Sequence, residues 1–188
     1  MGVRRSHGDM MTGDALQYYA GQSVALLALA LCVAAFANKQ DDRLLLILIF
    51  GNVAFAVQFA LFEAWVAAGI SALIVLRIIL ARKMEGNWIA MLAMLLATIL
   101  IAGVSWQGIQ DVFPLAAGVF GTVAMFMLRG IPMRAVLALA AACWIVTNAM
   151  VGSIGALAAE AMMLATNLWT ISRILKERRG EADRIASP

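Results

Sequence analysis

Long apolar runs alternate with short polar breaks along almost the whole chain. The runs fall at about 15–37, 44–62, 64–82, 88–106, 112–128, 133–151 and 154–175. Each is close to the ~20 residues a helix needs to cross a hydrocarbon core of about 30 Å. The pattern therefore predicts seven transmembrane helices in an all-α, polytopic membrane protein. The breaks have physical causes. Asn38 to Arg43 and Arg82 to Asn87 are too polar for hydrocarbon. In Arg129-Gly130-Ile131-Pro132 the glycine suits a helix C-terminus and the proline the start of the next helix. Val151 to Gly155 reads as a tight turn of small residues. At Phe62-Glu63-Ala64 one charge parts two apolar stretches. A single helix through both would measure about 57 Å at ~1.5 Å per residue, too long for the core, so the spacing predicts a break there.

Composition narrows this further. Of 188 residues, 64% are apolar and 13% charged, against about 45–50% and about 25% in soluble domains. The surplus has to face lipid, and short loops leave no room for a soluble domain. The net charge of +3 lies in loops rather than in a basic patch interleaved with aromatics, so no nucleic-acid partner is expected. Cys32 and Cys143 are far apart inside apolar runs, which argues against a disulfide or a metal site. The only histidine, His7, is in the polar N-terminal tail. With no nucleophile–base set, no metal cluster and no Gly-rich phosphate loop, neither an enzyme nor a cofactor is expected.

Lys and Arg accumulate in cytoplasmic loops. The first, third and fifth loops hold Lys39 and Arg43, Arg82 and Lys83, and Arg129 and Arg134; the second, fourth and sixth hold none. Arg173, Lys176, Arg178, Arg179 and Arg184 add to the C-terminus. The expected topology has an extracytoplasmic N-terminal tail (1–14) and a cytoplasmic basic tail (177–188). Trp65, Trp88 and Trp106 fall at span ends, as interfacial tryptophans do. Arg4 and Arg5 sit on the wrong side, and a translation start at Met10 or Met11 would remove them. The first apolar run is too long for a cleaved signal peptide.

Shifting the chain by 90 residues lays the second and third spans on the sixth and seventh. Gln58 then meets Asn148, and Arg77 meets Asn167. This predicts two three-helix repeats, 15–84 and 111–176, joined by a linker helix at 88–106. An odd number of helices per repeat plus one linker gives both the same orientation, as in transporters with parallel repeats. Arg129-Gly-Ile-Pro-Met-Arg134, Cys143-Trp144, Asn148, Gly152-Ser-Ile-Gly155, Glu160, Asn167 and Arg173 resemble the second half of the YgjV family of bacterial inner-membrane proteins. Val57-Gln58-Phe59 and Ala67 through Arg77 are similar to its first half. The likeness covers most of 15–179 and is most specific at 129–173. It implies a bacterial inner-membrane location and a family without an assigned activity. The 3+1+3 plan resembles that of SWEET and PQ-loop transporters of small solutes, a likeness of fold alone. Gln58 and Thr147 stand where the family is expected to have histidine, which puts any histidine proton relay in doubt.

Six polar or aromatic residues inside the spans have no explanation in lipid. Ala156, Glu160, Met163 and Asn167 share a helix face that would offer a carboxylate and an amide to a polar solute, or a titratable site to a cation. The plainer alternative is Glu160 as interhelical glue. Trp144 and Asn148 share a face suited to a polar ring, or to packing plus a helix contact. Gln58 inherits the same two readings. Arg77 would either snorkel to the cytoplasmic interface or face an anionic partner. The expected substrate-binding set is Trp144, Asn148, Glu160, Asn167, Gln58 and Arg77. The expected function is transport of a small, sugar- or amino-acid-like solute by alternating access, with the lipid bilayer as constant partner and homo-oligomerisation left open. The alternative is a non-transporting scaffold or subunit that binds another membrane protein or lipid.

Overall fold

The computed structural model describes residues 7–37, 41–84 and 86–186. Lys39 of the first loop and the Arg4–Arg5 pair lie outside them. Among the described residues the fold is all-helical, with seven α-helices and a 3-10 turn at Ile109–Asp111. The helices are α1 (His7–Ala37), α2 (Asp41–Leu61), α3 (Trp65–Lys83), α4 (Trp88–Ser105), α5 (Val112–Met127), α6 (Gly130–Val151) and α7 (Ile154–Ala186). Six contain segments long and apolar enough to cross a membrane; in α2 the apolar part is the shorter Ile49–Leu61. The expected spans are found with different ends. α1 begins at His7 rather than near 15, and α7 runs to Ala186, so the helix continues through most of the expected basic tail. In both cases the polar turns extend a helix that the apolar segment has already nucleated. α6 begins at Gly130 rather than near 133, so the glycine expected at a helix C-terminus opens a helix instead.

The break at Glu63 is real. α2 ends at Leu61, α3 starts at Trp65, and Glu63 is left-handed at φ 59°. The α6–α7 turn is built in the same way around Gly152, at φ 72°. Ala64 N–H bonds the carbonyl of Phe59 (2.9 Å) and Glu63 N–H that of Ala60 (3.1 Å). Ser153 N–H likewise bonds Asn148 (2.9 Å), and Gly152 N–H bonds Ala149 (3.3 Å). These are two Schellman closures. Corresponding atoms in the two turns are 89 residues apart, one fewer than the alignment of apolar spans suggests.

Main contacts run from α1 to α2, α3, α5, α6, α7 and back to α1, a ring of six helices. α4 packs on the α3–α5 seam and shows lipid an apolar face that includes Leu96, Ile99, Leu100 and Val104, the last 88% exposed. Polarity is inverted relative to a soluble protein. Gln58, Ser71, Arg77, Asn148 and Glu160 are buried, while large aliphatic side chains cover the outside. Trp65 and Trp88 begin α3 and α4, Trp106 follows α4, and all three are exposed at those ends.

Glycines permit the closest approaches. A Cβ on Gly118 would lie 2.9 Å from Thr98 and 3.0 Å from Ile70, and one on Gly155 would lie 2.7 Å from the backbone of Ala25. At the turn end of the bundle, Gln22 of α1 clasps the α6–α7 turn. It donates to the Gly152 carbonyl (2.6 Å) and accepts from Ile154 N–H (3.2 Å). Gln17 donates to the Leu61 carbonyl (2.8 Å) beside the other turn. The opposite, basic end carries Arg82 and Lys83 in the last turn of α3 and Arg129 before α6. There Asn87 caps α4, its Oδ1 accepting from Ile89 and Ala90 N–H at 3.0 Å each. Asn87→Ala is expected to cost about 1 kcal/mol, read as a melting point in detergent lowered by roughly 2–4 °C, and Asn87→Asp is expected to restore it.

Candidate functional site

A cavity of about 360 Å³ lies within the ring of six helices. That is within the roughly 300–1,000 Å³ of small-molecule sites. All six ring helices line it, and among the described residues α4 contributes nothing. Five of the six expected site residues meet here: Arg77, Trp144, Asn148, Glu160 and Asn167. On α7 the predicted face is the one presented, since Glu160, Met163 and Asn167 all reach the cavity. Gln58 does not join them. It is 0% exposed and absent from the lining.

The register of the turns explains Gln58. One residue along a helix is a rotation of about 100°, so an offset of 89 rather than 90 pairs Gln58 with Thr147 and pairs Phe59 with Asn148. With that offset, the lining of the first half falls on the lining of the second. On α2 and α6, Asn52, Phe55 and Phe59 match Ala141, Trp144 and Asn148. On α3 and α7, Ser71, Ile74, Arg77 and Ile78 match Glu160, Met163, Thr166 and Asn167. On α1 and α5, Cys32 matches Gly121. Every lining residue before α4 therefore has a lining counterpart 89 positions later.

Arg77 is turned inward rather than toward the interface. It is 8% exposed, and its Nη1 donates to the Gly118 carbonyl at 3.3 Å. Gly121 leaves the space its guanidinium occupies, because a Cβ there would collide with Nη1. Buried side-chain atoms without a hydrogen-bond partner include Arg77 Nε, Asn148 Oδ1, Glu160 Oε2 and both polar atoms of Gln58. Such atoms are costly in a low-dielectric interior. Three of these four residues line the cavity, where a polar solute would satisfy them. Arg77 and Glu160 form no ion pair with each other among the described residues.

The two ends of the cavity differ. Toward the turns, Phe59 stacks on Trp144 with centroids 5.4 Å apart and planes at 26°, and both rings are buried. Toward the basic end, Arg134, Met163 and Asn167 are half-buried and Thr166 is exposed. Cys32, Asn52, Ser71, Arg134 and Thr166 were not among the expected site residues. Ser71, Arg134 and Thr166 share helices with Arg77, Trp144 and Glu160, whereas Cys32 and Asn52 lie on α1 and α2.

A family model described as a bacterial inner membrane protein, Imp-YgjV, matches residues 19–178. The chain is also 24% identical over 167 residues to "Inner membrane protein YgjV" of Escherichia coli (strain K12), covering 87% of this chain and 89% of that protein. No solved structure matches.

Proposed function

This chain belongs to the Imp-YgjV family of bacterial inner membrane proteins, and from that premise we propose that it is a non-enzymatic transporter of a small polar solute. The reading rests on one observation above all. Each lining residue of the first half recurs in the lining 89 residues later. Two parallel three-helix repeats related by an axis along the membrane normal, with α4 as linker, account for that recurrence. A site between such repeats is the arrangement alternating access requires. The contacts fit the same symmetry, because α3 meets α5 as α7 meets α1.

The basic loops favour cytoplasmic placement of the α3–α4 and α5–α6 ends and an extracytoplasmic N-terminus. In that orientation the exposed end of the cavity faces the cytoplasm, and the Phe59–Trp144 stack closes it on the other side. Sugars and amino acids are the solute classes of suitable size.

Uptake of labelled sugars and amino acids into proteoliposomes tests the proposal. Wild-type protein is expected to move at least one of them. Glu160→Gln and Asn167→Ala are each expected to slow that uptake by about tenfold, the effect of losing ~1.4 kcal/mol of differential stabilisation. Unchanged uptake by both variants would overturn the site, and a wild type that moves nothing would favour the scaffold.

A further inference from the structure

Each lining position of the first half recurs in the second, but not with the same chemistry. Where the second half has Glu160 the first has Ser71, and where the first has Arg77 the second has Thr166. The shell is two-fold and its charge is one-sided. Ser71, the match of Glu160, precedes Arg77 by six residues, about 9 Å along a helix. The anionic and cationic groups are therefore attached at different depths. Glu160 is on the side of the Phe59–Trp144 stack, whereas Arg77 is displaced toward the basic end, where Arg134 adds a second positive charge to the lining.

The two buried ionisable groups are not paired with each other. Glu160 Oε2 and Arg77 Nε have no partner, and the guanidinium's hydrogen bond goes to a neutral carbonyl. A neutral sugar would leave both groups without an opposite charge, and a simple anion or cation would pair only one. A solute carrying both charges relieves both. Resting on the transport reading above, we propose that the solute is a small zwitterion of the amino-acid class, its carboxylate on Arg77 and its ammonium on Glu160. Asn148, with Oδ1 free of partners, is a second acceptor on the ammonium side.

Binding to the purified full chain, measured by titration calorimetry, tests this with the twenty proteinogenic L-amino acids, glucose and glycerol. At least one amino acid is expected to bind roughly tenfold or more tightly than either neutral compound, because charge-assisted hydrogen bonds are about twice as strong as neutral ones. The tightest amino acid is then compared with its own des-amino acid and its own decarboxylated amine. Arg77→Gln is expected to erase the preference over the amine, and Glu160→Gln the preference over the des-amino acid. Each preference is a ratio within one variant, so partial loss of folded protein does not move it, and the wild-type ranking stands if a variant fails to fold. A neutral compound bound or taken up in preference to every amino acid would overturn the zwitterion while leaving transport intact. Absence of binding and uptake across the whole panel would overturn both.

Discussion

Gly155→Val is expected to open the seam between α7 and α1. The added Cβ would meet backbone rather than a movable side chain, 2.7 Å from the Ala25 carbonyl carbon, 2.8 Å from its oxygen and 2.8 Å from the Leu26 nitrogen. Relief requires α1 to move as a body. That movement is resisted close by, because Gln22 is bonded on both sides of the α6–α7 turn. Overpacking costs about 1–3 kcal/mol where side chains can yield, and each sacrificed hydrogen bond adds about 0.5–1.5 kcal/mol. The melting point in detergent should fall on the order of 10 °C. Gly103→Val is the control, since a Cβ there meets nothing within 4 Å; equal effects at the two positions would refute the close approach. The matched position in α3 is Val66, fully buried, so the equivalent seam with α5 accommodates the side chain that Gly155 lacks.

What could be read from the sequence follows from how lipid changes the meaning of polarity. Lipid accounts for an apolar residue anywhere on a span, so a carboxylate, guanidinium or amide within one stands out. That reasoning singled out Arg77, Asn148, Glu160 and Asn167, which line the cavity, and Gln58, which does not. The same logic is blind to Ser71 and Thr166, because small hydroxyls also serve helix packing, and to Arg134, whose charge near a break reads as loop charge. The break at Glu63 was legible from length, but its geometry was not. Glu63 and Gly152 have nothing chemical in common, yet both stand in the left-handed position that ends a helix. Aligning the halves by apolar content cannot tell an offset of 90 from one of 89, whereas the turn hydrogen bonds can. The difference of one residue rotates each face by about 100°. It removes Gln58 from the lining and brings Phe59 to the position of Asn148.

Trp144→Ala is expected to make the cavity reachable from the turn end. Phe59 of the Phe59–Trp144 stack lies in the last turn of α2, and Trp144 lies seven residues before the end of α6. On the alternating-access reading the stack is the barrier on that side. Cys32 lines the cavity and is a native reporter of access. In a Cys143→Ser background, a membrane-impermeant maleimide added from the turn side should label Cys32 slowly in the otherwise native protein. An aromatic pair contributes about 0.5–1.5 kcal/mol beyond the area it buries. Losing it together with the indole's bulk should raise that rate on the order of tenfold. Trp144→Phe keeps a ring against Phe59 and should stay near the native rate, which separates loss of the barrier from general loosening of α6. Labelling from the basic end should change little in either variant, because neither substitution alters the residues at that end. If Trp144→Ala raised both rates equally, the bundle would have loosened as a whole and the stack would not be the barrier. If it raised neither, the closure toward the turns would have to lie elsewhere, with the clasp of Gln22 on the α6–α7 turn the next segment to test.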